Sequence, residues 1–214
     1  MEGKEKKTFT DLCRQKLGFI INFFAKIFLK LGLTANMMTI LGCMGHIIAF
    51  WLIYNGKFLA SGILLFLFAC FDVVDGTMAR MSNDGKGTEF GAVLDSVTDR
   101  ISEFLCLAGI IMYYSVRGET IWVAVCLVTV IGSFLVPYTR AKGELYGLDM
   151  RLGILTRVER YLVLVISLLV GYPNIGMAII AVFSNITALQ RMIHIKKNLD
   201  SDQREQKDGH TTKS

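Results

Sequence analysis

The chain has 214 residues, 53% of them hydrophobic, a formal net charge of +5 and a positive mean hydropathy. These values exclude an ordinary soluble domain and indicate a small polytopic membrane protein. Basic residues cluster beside apolar stretches, where anionic lipid headgroups attract them, so a membrane surface is the expected partner and nucleic acid is not. The five cysteines, Cys13, Cys43, Cys70, Cys106 and Cys126, stand singly in apolar surroundings without Cys-x-x-Cys spacing. They read as packing residues rather than as zinc ligands or a disulfide framework.

Residues 1–7 form a charged tail with no short apolar core and cleavage site behind it, so the tail is expected to remain in the mature protein. Residues 8–31 follow, with Asp11, Gln15, Asn22, Lys26 and Lys30 at steps near four and phenylalanines and aliphatics largely elsewhere. That pattern suits an amphipathic interfacial helix lying along the membrane; as a transmembrane helix it would have to turn its polar stripe toward neighbours. Six apolar stretches come next, at 37–54, 59–74, 90–114, 121–137, 161–170 and 175–193. A helix needs about 20 residues to cross the hydrocarbon, so several require their flanks as well.

Strand alternation is absent, which leaves helices as the elements able to satisfy their own backbone in lipid. The expected fold is an all-α integral membrane protein with six transmembrane helices preceded by the interfacial helix. The six spans are expected to fill residues 32–195, and 196–214 form a charged tail expected to be disordered. Turns at Tyr54-Asn55-Gly56, 115–119 and Gly171-Tyr172-Pro173-Asn174 mark one side of the hairpin series. Lys and Arg crowd the other side, which predicts that both termini are cytoplasmic.

The chemistry lies in Asp72-x-x-Asp75-Gly76-x-x-Ala79-Arg80, continued by Gly91-x-x-x-Asp95-x-x-x-Asp99-Arg100. Helical spacing puts each acidic pair on a common face, and a hairpin brings the two faces together. Four carboxylates in a partly dry site repel one another unless they are protonated, scattered into water or shared by a hard divalent cation. A single such Asp reads most simply as an interfacial charge. Four of them, with Gly76 and Gly91 allowing close approach and Arg80 offering a phosphate fork, read as a site.

This constellation resembles the signature of the CDP-alcohol phosphotransferases, and the resemblance covers roughly residues 8–195. The spacer 81–90 is ten residues where the family has about eight, the surplus falling around Asn83-Asp84-Gly85. The resemblance implies that Asp72, Asp75 and Asp95 ligate a pair of Mg²⁺ or Mn²⁺ ions, with Asp99 joining the metal site and serving as general base. It implies a CDP-linked lipid as donor, CMP as product, a polar alcohol as acceptor and a homodimeric assembly, with the active site on the cytoplasmic side. Gly76, Ala79 and Arg80 correspond to nucleotide-binding positions. Upstream, Thr34-Ala35-Asn36-Met37-Met38-Thr39 resembles the family's Pro-Asn-x-x-Thr segment, with Ala35 in place of proline. Thr34 and Asn36 are either nucleotide contacts or helix N-caps.

The segment containing Arg140, Lys142, Arg157 and Arg160 resembles its counterpart in phosphatidylinositol-phosphate and archaetidylinositol-phosphate synthases, where basic side chains hold the phosphate of inositol phosphate. A phosphorylated polyol is therefore the expected acceptor. Glycerol 3-phosphate is the alternative, and positive-inside loop charge is the non-catalytic one. A divalent-cation transporter, the reading from another class, would need polar groups at successive depths, which the apolar spans lack. His46, His194 and His210 have no paired ligand spacing and read as packing, interfacial and tail residues.

Overall fold

The computed structural model describes the backbone of residues 9–82 and 88–211. It is helical throughout: α1 (Phe9–Lys30), α2 (Ala35–Tyr54), α3 (Phe58–Ser82), α4 (Glu89–Val116), α5 (Thr120–Leu145), α6 (Arg157–Val170) and α7 (Pro173–Thr211). Every expected apolar stretch coincides with one of these helices, and α1 coincides with the expected interfacial segment. The tail 1–7 and the spacer centre 83–87 lie outside the described residues.

Four helices are long and apolar enough to cross a membrane among the described residues: Ala35–Tyr54, Phe58–Met81, Thr120–Leu145 and Pro173–Ser201. The chain is thus an all-helical integral membrane protein. Six crossings with an interfacial helix are the finer expectation from sequence; α4 and α6 are the expected spans that fall outside these four. The stretch of α4 from Glu89 to Glu103 also carries Asp95, Asp99 and Arg100, and α6 has only 14 residues. Large apolar side chains cover outward faces, as with Ile40, Leu41, Met44, Ile47, Ile48 and Trp51 on α2, all exposed. A contiguous apolar surface of that kind needs lipid around it.

The helices group into two units, 1–49 with 64–102, and 50–63 with 103–214. In the first unit, Ile21 and Ala25 of α1, Met38 of α2, and Val74 and Met78 of α3 form a buried cluster, with Phe28, Leu29, Leu33 and Val73 against it. One face of α1 is therefore committed to protein. Its opposite face mixes exposed Phe19 and Phe23 with exposed Asn22, Lys26 and Lys30, and the long stems of the two lysines can lie along apolar surface while their charges reach water.

The second unit is organised on a seam between α5 and α7. Cys126, Thr129, Gly132, Ser133 and Val136 of α5 are buried, as are Met177, Ile180, Ala181, Ser184 and Ala188 of α7. Steps of three and four place each set on one stripe, and small residues let the backbones approach. Thr129 Oγ1 donates to the Met177 carbonyl at 3.0 Å, and Asn185 Nδ2 donates to the Val128 carbonyl at 3.1 Å.

Sequence reading ended the fourth apolar stretch at Pro137, but α5 continues through it to Leu145. Proline removes one helical donor, a loss that surrounding helices can offset in a membrane protein. At the turn before α7, Gly171 adopts φ +85° and caps α6, its N–H reaching the Leu168 carbonyl while that of Tyr172 reaches Ser167. The helix α7 itself runs on to Thr211, past the point where the charged tail was expected to lose structure. Gln, Arg, Glu and Lys in that stretch are good helix formers.

Thr129→Val preserves shape and removes the hydrogen bond to the Met177 carbonyl, leaving that of Asn185 in place. It is expected to destabilise the folded protein by about 0.6–1.5 kcal/mol, read as a lower Tm in detergent.

Candidate active site

Three acidic side chains meet in the first unit. Ligand oxygens of Asp72 on α3 and of Asp95 and Asp99 on α4 all lie within 4.8 Å of one another. The four-residue step between Asp95 and Asp99 stacks them on one face of α4. Asp72 is exposed, and the two α4 acids are half-buried, so the group stands at an edge that water and ligand can reach.

Asp75 lies outside this triad. It is buried, at 8% exposure, and its Oδ2 accepts a hydrogen bond from Thr39 Oγ1 at 3.1 Å. The three-residue step from Asp72 turns Asp75 about 60° around α3, toward α2. It remains within electrostatic reach of Asp72 and Asp95. Thr39 also donates to the Ala35 carbonyl, so the hydroxyl is shared between its own helix and Asp75. Sequence reading quoted Thr39 as part of a motif without giving it a role; its partner is 36 residues away and no local signal announces it.

The arrangement tests well as a cation site. Oxygens placed around one hard divalent ion at 2.0–2.6 Å are separated by up to about 4–5 Å, the spacing this triad offers. Carboxylates alone, without Cys or His, select Mg²⁺, Mn²⁺ or Ca²⁺ over softer metals. Asp72, Asp95 and Asp99 are the residues that would hold it.

The remaining residues singled out from sequence fall into two groups. In the first unit, Thr34 caps α2, accepting a hydrogen bond from the Met37 N–H at 3.3 Å. Asn36 lies in the first turn of the same helix, and a Cβ added to Gly91 would come within 3.2 Å of its Oδ1. Glycine at 91 thus permits the start of α4 to approach that amide. Gly76 and Ala79 are partly buried on α3. The guanidinium of Arg80 folds back over Gly76 and donates from Nη2 to Thr77 Oγ1 at 2.9 Å.

In the second unit the basic residues differ sharply from one another. Arg140 is exposed and pairs with Glu144 at 2.8 Å. Lys142 lies over the Tyr138 ring, 5.7 Å from its centroid, and Arg157 opens α6 at the surface. Arg160 is only 3% exposed and forms a two-pronged pair with Glu103, Nε to Oε1 at 2.9 Å and Nη2 to Oε2 at 3.0 Å.

A fifth cation, Arg191, was missed from sequence, since it sits in an otherwise unmarked apolar helix. It is 3% exposed, donates to the carbonyls of Leu152 and Val136 at 2.9 and 2.6 Å, and lies within electrostatic reach of Arg140 and Arg160. An intramembrane cation on a helix that faces protein is a signal for function, and its position on the buried stripe of α7 would have flagged it.

Carboxylates clustered on the helices of a membrane protein supply the oxygen donors that a hard divalent metal takes. Residues 32–192 match the profile of the CDP-alcohol phosphatidyltransferase family, and the chain belongs to that family. It is 35% identical over 188 residues to an archaetidylinositol phosphate synthase of Pyrococcus horikoshii, covering 87% of this chain and 96% of that protein. The fold matches that of phosphatidylinositol phosphate synthase from Mycobacterium tuberculosis with CDP-DAG bound, at a TM-score of 0.77 and 32% identity, over 82% of this chain and 93% of that one. A second structure of the Mycobacterium tuberculosis enzyme, in complex with manganese and citrate, matches at 0.76 and 31%, over 82% and 88%. The chain is therefore an enzyme that uses a divalent metal.

Asp72→Asn and Asp95→Asn are each expected to weaken Mn²⁺ binding at least about tenfold, followed by electron paramagnetic resonance of the purified protein. Thr39→Val is expected to lower it less, since Thr39 touches a neighbouring carboxyl rather than the triad.

Proposed function

We propose that this enzyme transfers a phosphatidyl-type group from a CDP-linked lipid to inositol phosphate, releasing CMP. The observation that carries the reading is the convergence of Asp72, Asp95 and Asp99 in the same family signature whose relatives are inositol-phosphate-using synthases.

Divalent ions bound by the aspartates, taken as two with Asp75 completing the set, would neutralise the donor pyrophosphate and make its phosphorus electrophilic. Asp99 accepts the proton of the acceptor hydroxyl. The freed oxygen forms a bond to the lipid-side phosphorus, the pyrophosphate bridge breaks, and CMP leaves with the bridging oxygen. No covalent enzyme intermediate is needed. Arg80 pairs with donor phosphate, Gly76 and Ala79 leave room for the nucleotide, and Thr34 and Asn36 offer it polar contacts.

Arg140, Lys142, Arg157 and Arg160 bind the acceptor phosphate, and Arg191 joins them. Two observations support an anionic acceptor. Arg191 is buried on backbone carbonyls, without a carboxylate hydrogen-bonded to it among the described contacts. Arg160 retains a buried nitrogen with no hydrogen-bond partner among the described residues. An uncharged acceptor would leave this surplus unanswered.

The finer topology is six membrane crossings with α1 along the interface, α4 and α6 completing the spans with their flanks. Placement of Lys and Arg supports cytoplasmic termini and a cytoplasmic active site. A homodimer and surrounding lipid are the expected partners.

Purified protein supplied with CDP-diacylglycerol and Mg²⁺ or Mn²⁺ is expected to release CMP with myo-inositol 1-phosphate. Asp99→Asn should lower kcat by about 10²–10⁴-fold. Arg80→Ala should chiefly raise the KM for the CDP-lipid. CMP release with glycerol 3-phosphate alone would keep the family and overturn the acceptor. Absence of metal-dependent release with any alcohol and either a diacyl or an ether CDP-lipid would overturn the enzyme reading in favour of a cation-binding or transport site.

A further inference from the structure

Glu103 occupies the position one helical turn beyond Asp99 on α4. Its carboxylate takes both the Nε and the Nη2 hydrogens of Arg160, at 2.9 and 3.0 Å. That pairing engages one edge of the planar guanidinium and fixes both its rotation and its depth. The remaining nitrogen, Nη1, carries its hydrogens on the other edge. It is buried and has no hydrogen-bond partner among the described residues. Leaving charged donors buried without acceptors is costly, so the fork is incomplete until an oxygen ligand arrives.

The electrostatic surroundings favour an anion as that ligand. Arg140 and Arg160 both act repulsively on Arg191, and Glu144, the acid that acts favourably on Arg191, is itself paired with Arg140 at the surface. Glu103 is the acid hydrogen-bonded to the buried arginine Arg160, and it is only 20% exposed. Without it, three guanidinium groups would push apart, and Arg160 would be free to swing toward water.

We infer that Glu103 is a positioning residue for the acceptor phosphate: it holds Arg160 in the one orientation that presents Nη1 to a phosphate oxygen. The inference rests on the reading of Arg160 as an acceptor contact. Glu103 touches neither substrate; it acts through Arg160. It also supplies negative charge that keeps the arginine set assembled while no phosphate is bound.

The test compares full-length wild type, Glu103→Gln and Glu103→Asp in CMP release, varying the acceptor at saturating CDP-diacylglycerol and then the reverse. Inorganic phosphate serves as a competitive probe of the acceptor site. Glu103→Gln is expected to raise the acceptor KM and the phosphate inhibition constant together, by about tenfold, the worth of one charge-assisted hydrogen bond. The KM for CDP-diacylglycerol should stay within about twofold. Glu103→Asp, which keeps the charge on a shorter stem, should recover part of the loss.

An unchanged phosphate constant with only a lower Tm would overturn the inference and leave Glu103 structural. Equal losses on both substrates would overturn it as well. If Glu103→Gln does not fold, Glu103→Asp carries the test, since it keeps both charges and displaces only the carboxylate that orients Arg160. It should raise the phosphate constant while leaving the KM for CDP-diacylglycerol unchanged, and wild-type values for both would sink the proposal. Should wild type use glycerol 3-phosphate in place of inositol phosphate, the acceptor reading fails, and the same KM split is then read with glycerol 3-phosphate.

Discussion

Carboxylate repulsion is the constraint around which the first unit is arranged. Three acid oxygens within 4.8 Å of one another are unfavourable unless helices hold them there and cations answer them. The holding is done by ordinary packing. Ile21, Ala25, Met38, Val74 and Met78 lock α1, α2 and α3 together on the side of α3 that also turns Asp75 inward. Thr39 then ties Asp75 to α2, so the acid closest to the apolar core is the one that receives a neutral donor. The more exposed acids, Asp72, Asp95 and Asp99, are the ones whose oxygens converge closely enough to hold a cation.

Polar ties of a different kind give the second unit its rigidity. Thr187 on α7 receives the N–H groups of Ile154 and Leu155, and Arg191 holds the Leu152 carbonyl, so the connection between α5 and α6 is pinned to α7 at three points. The same α7 packs through small residues along α5. A segment carrying Arg151, Gly147 and Gly153 would otherwise be free to move; fixed in this way, it delivers Arg160 to Glu103 at the first turn of α6. The capping box of Thr156 and Glu159 starts that helix one step earlier. The placement of Arg160 and Arg191 in this unit therefore depends on backbone anchoring as much as on charge.

The contrast among the five cations shows why charge counting alone is a weak guide. Arg140 and Lys142 are exposed, where screening makes each contact worth little, whereas Arg160 and Arg191 are both buried. Buried guanidinium groups are retained only against specific partners, so these two carry the sharper functional information. One of them was legible from its place in a basic segment; the other was hidden inside the apolar stretch 175–193.

Sequence by itself determined the helical class, the seven elements and the acidic motif. Each depends on spacing along the chain, which apolar periodicity and i, i+4 geometry translate directly into structure. Helix ends were less legible, because Pro137 and the charged stretch beyond Asn198 are local stop signals that neighbouring packing or propensity overrode. Tertiary structure alone decided that Asp75 leaves the triad for Thr39, that Arg160 belongs to Glu103 and that Arg191 is part of the cationic set. Those pairings join residues 36 and 57 positions apart, or cations on different helices, and no periodicity within a single helix encodes them.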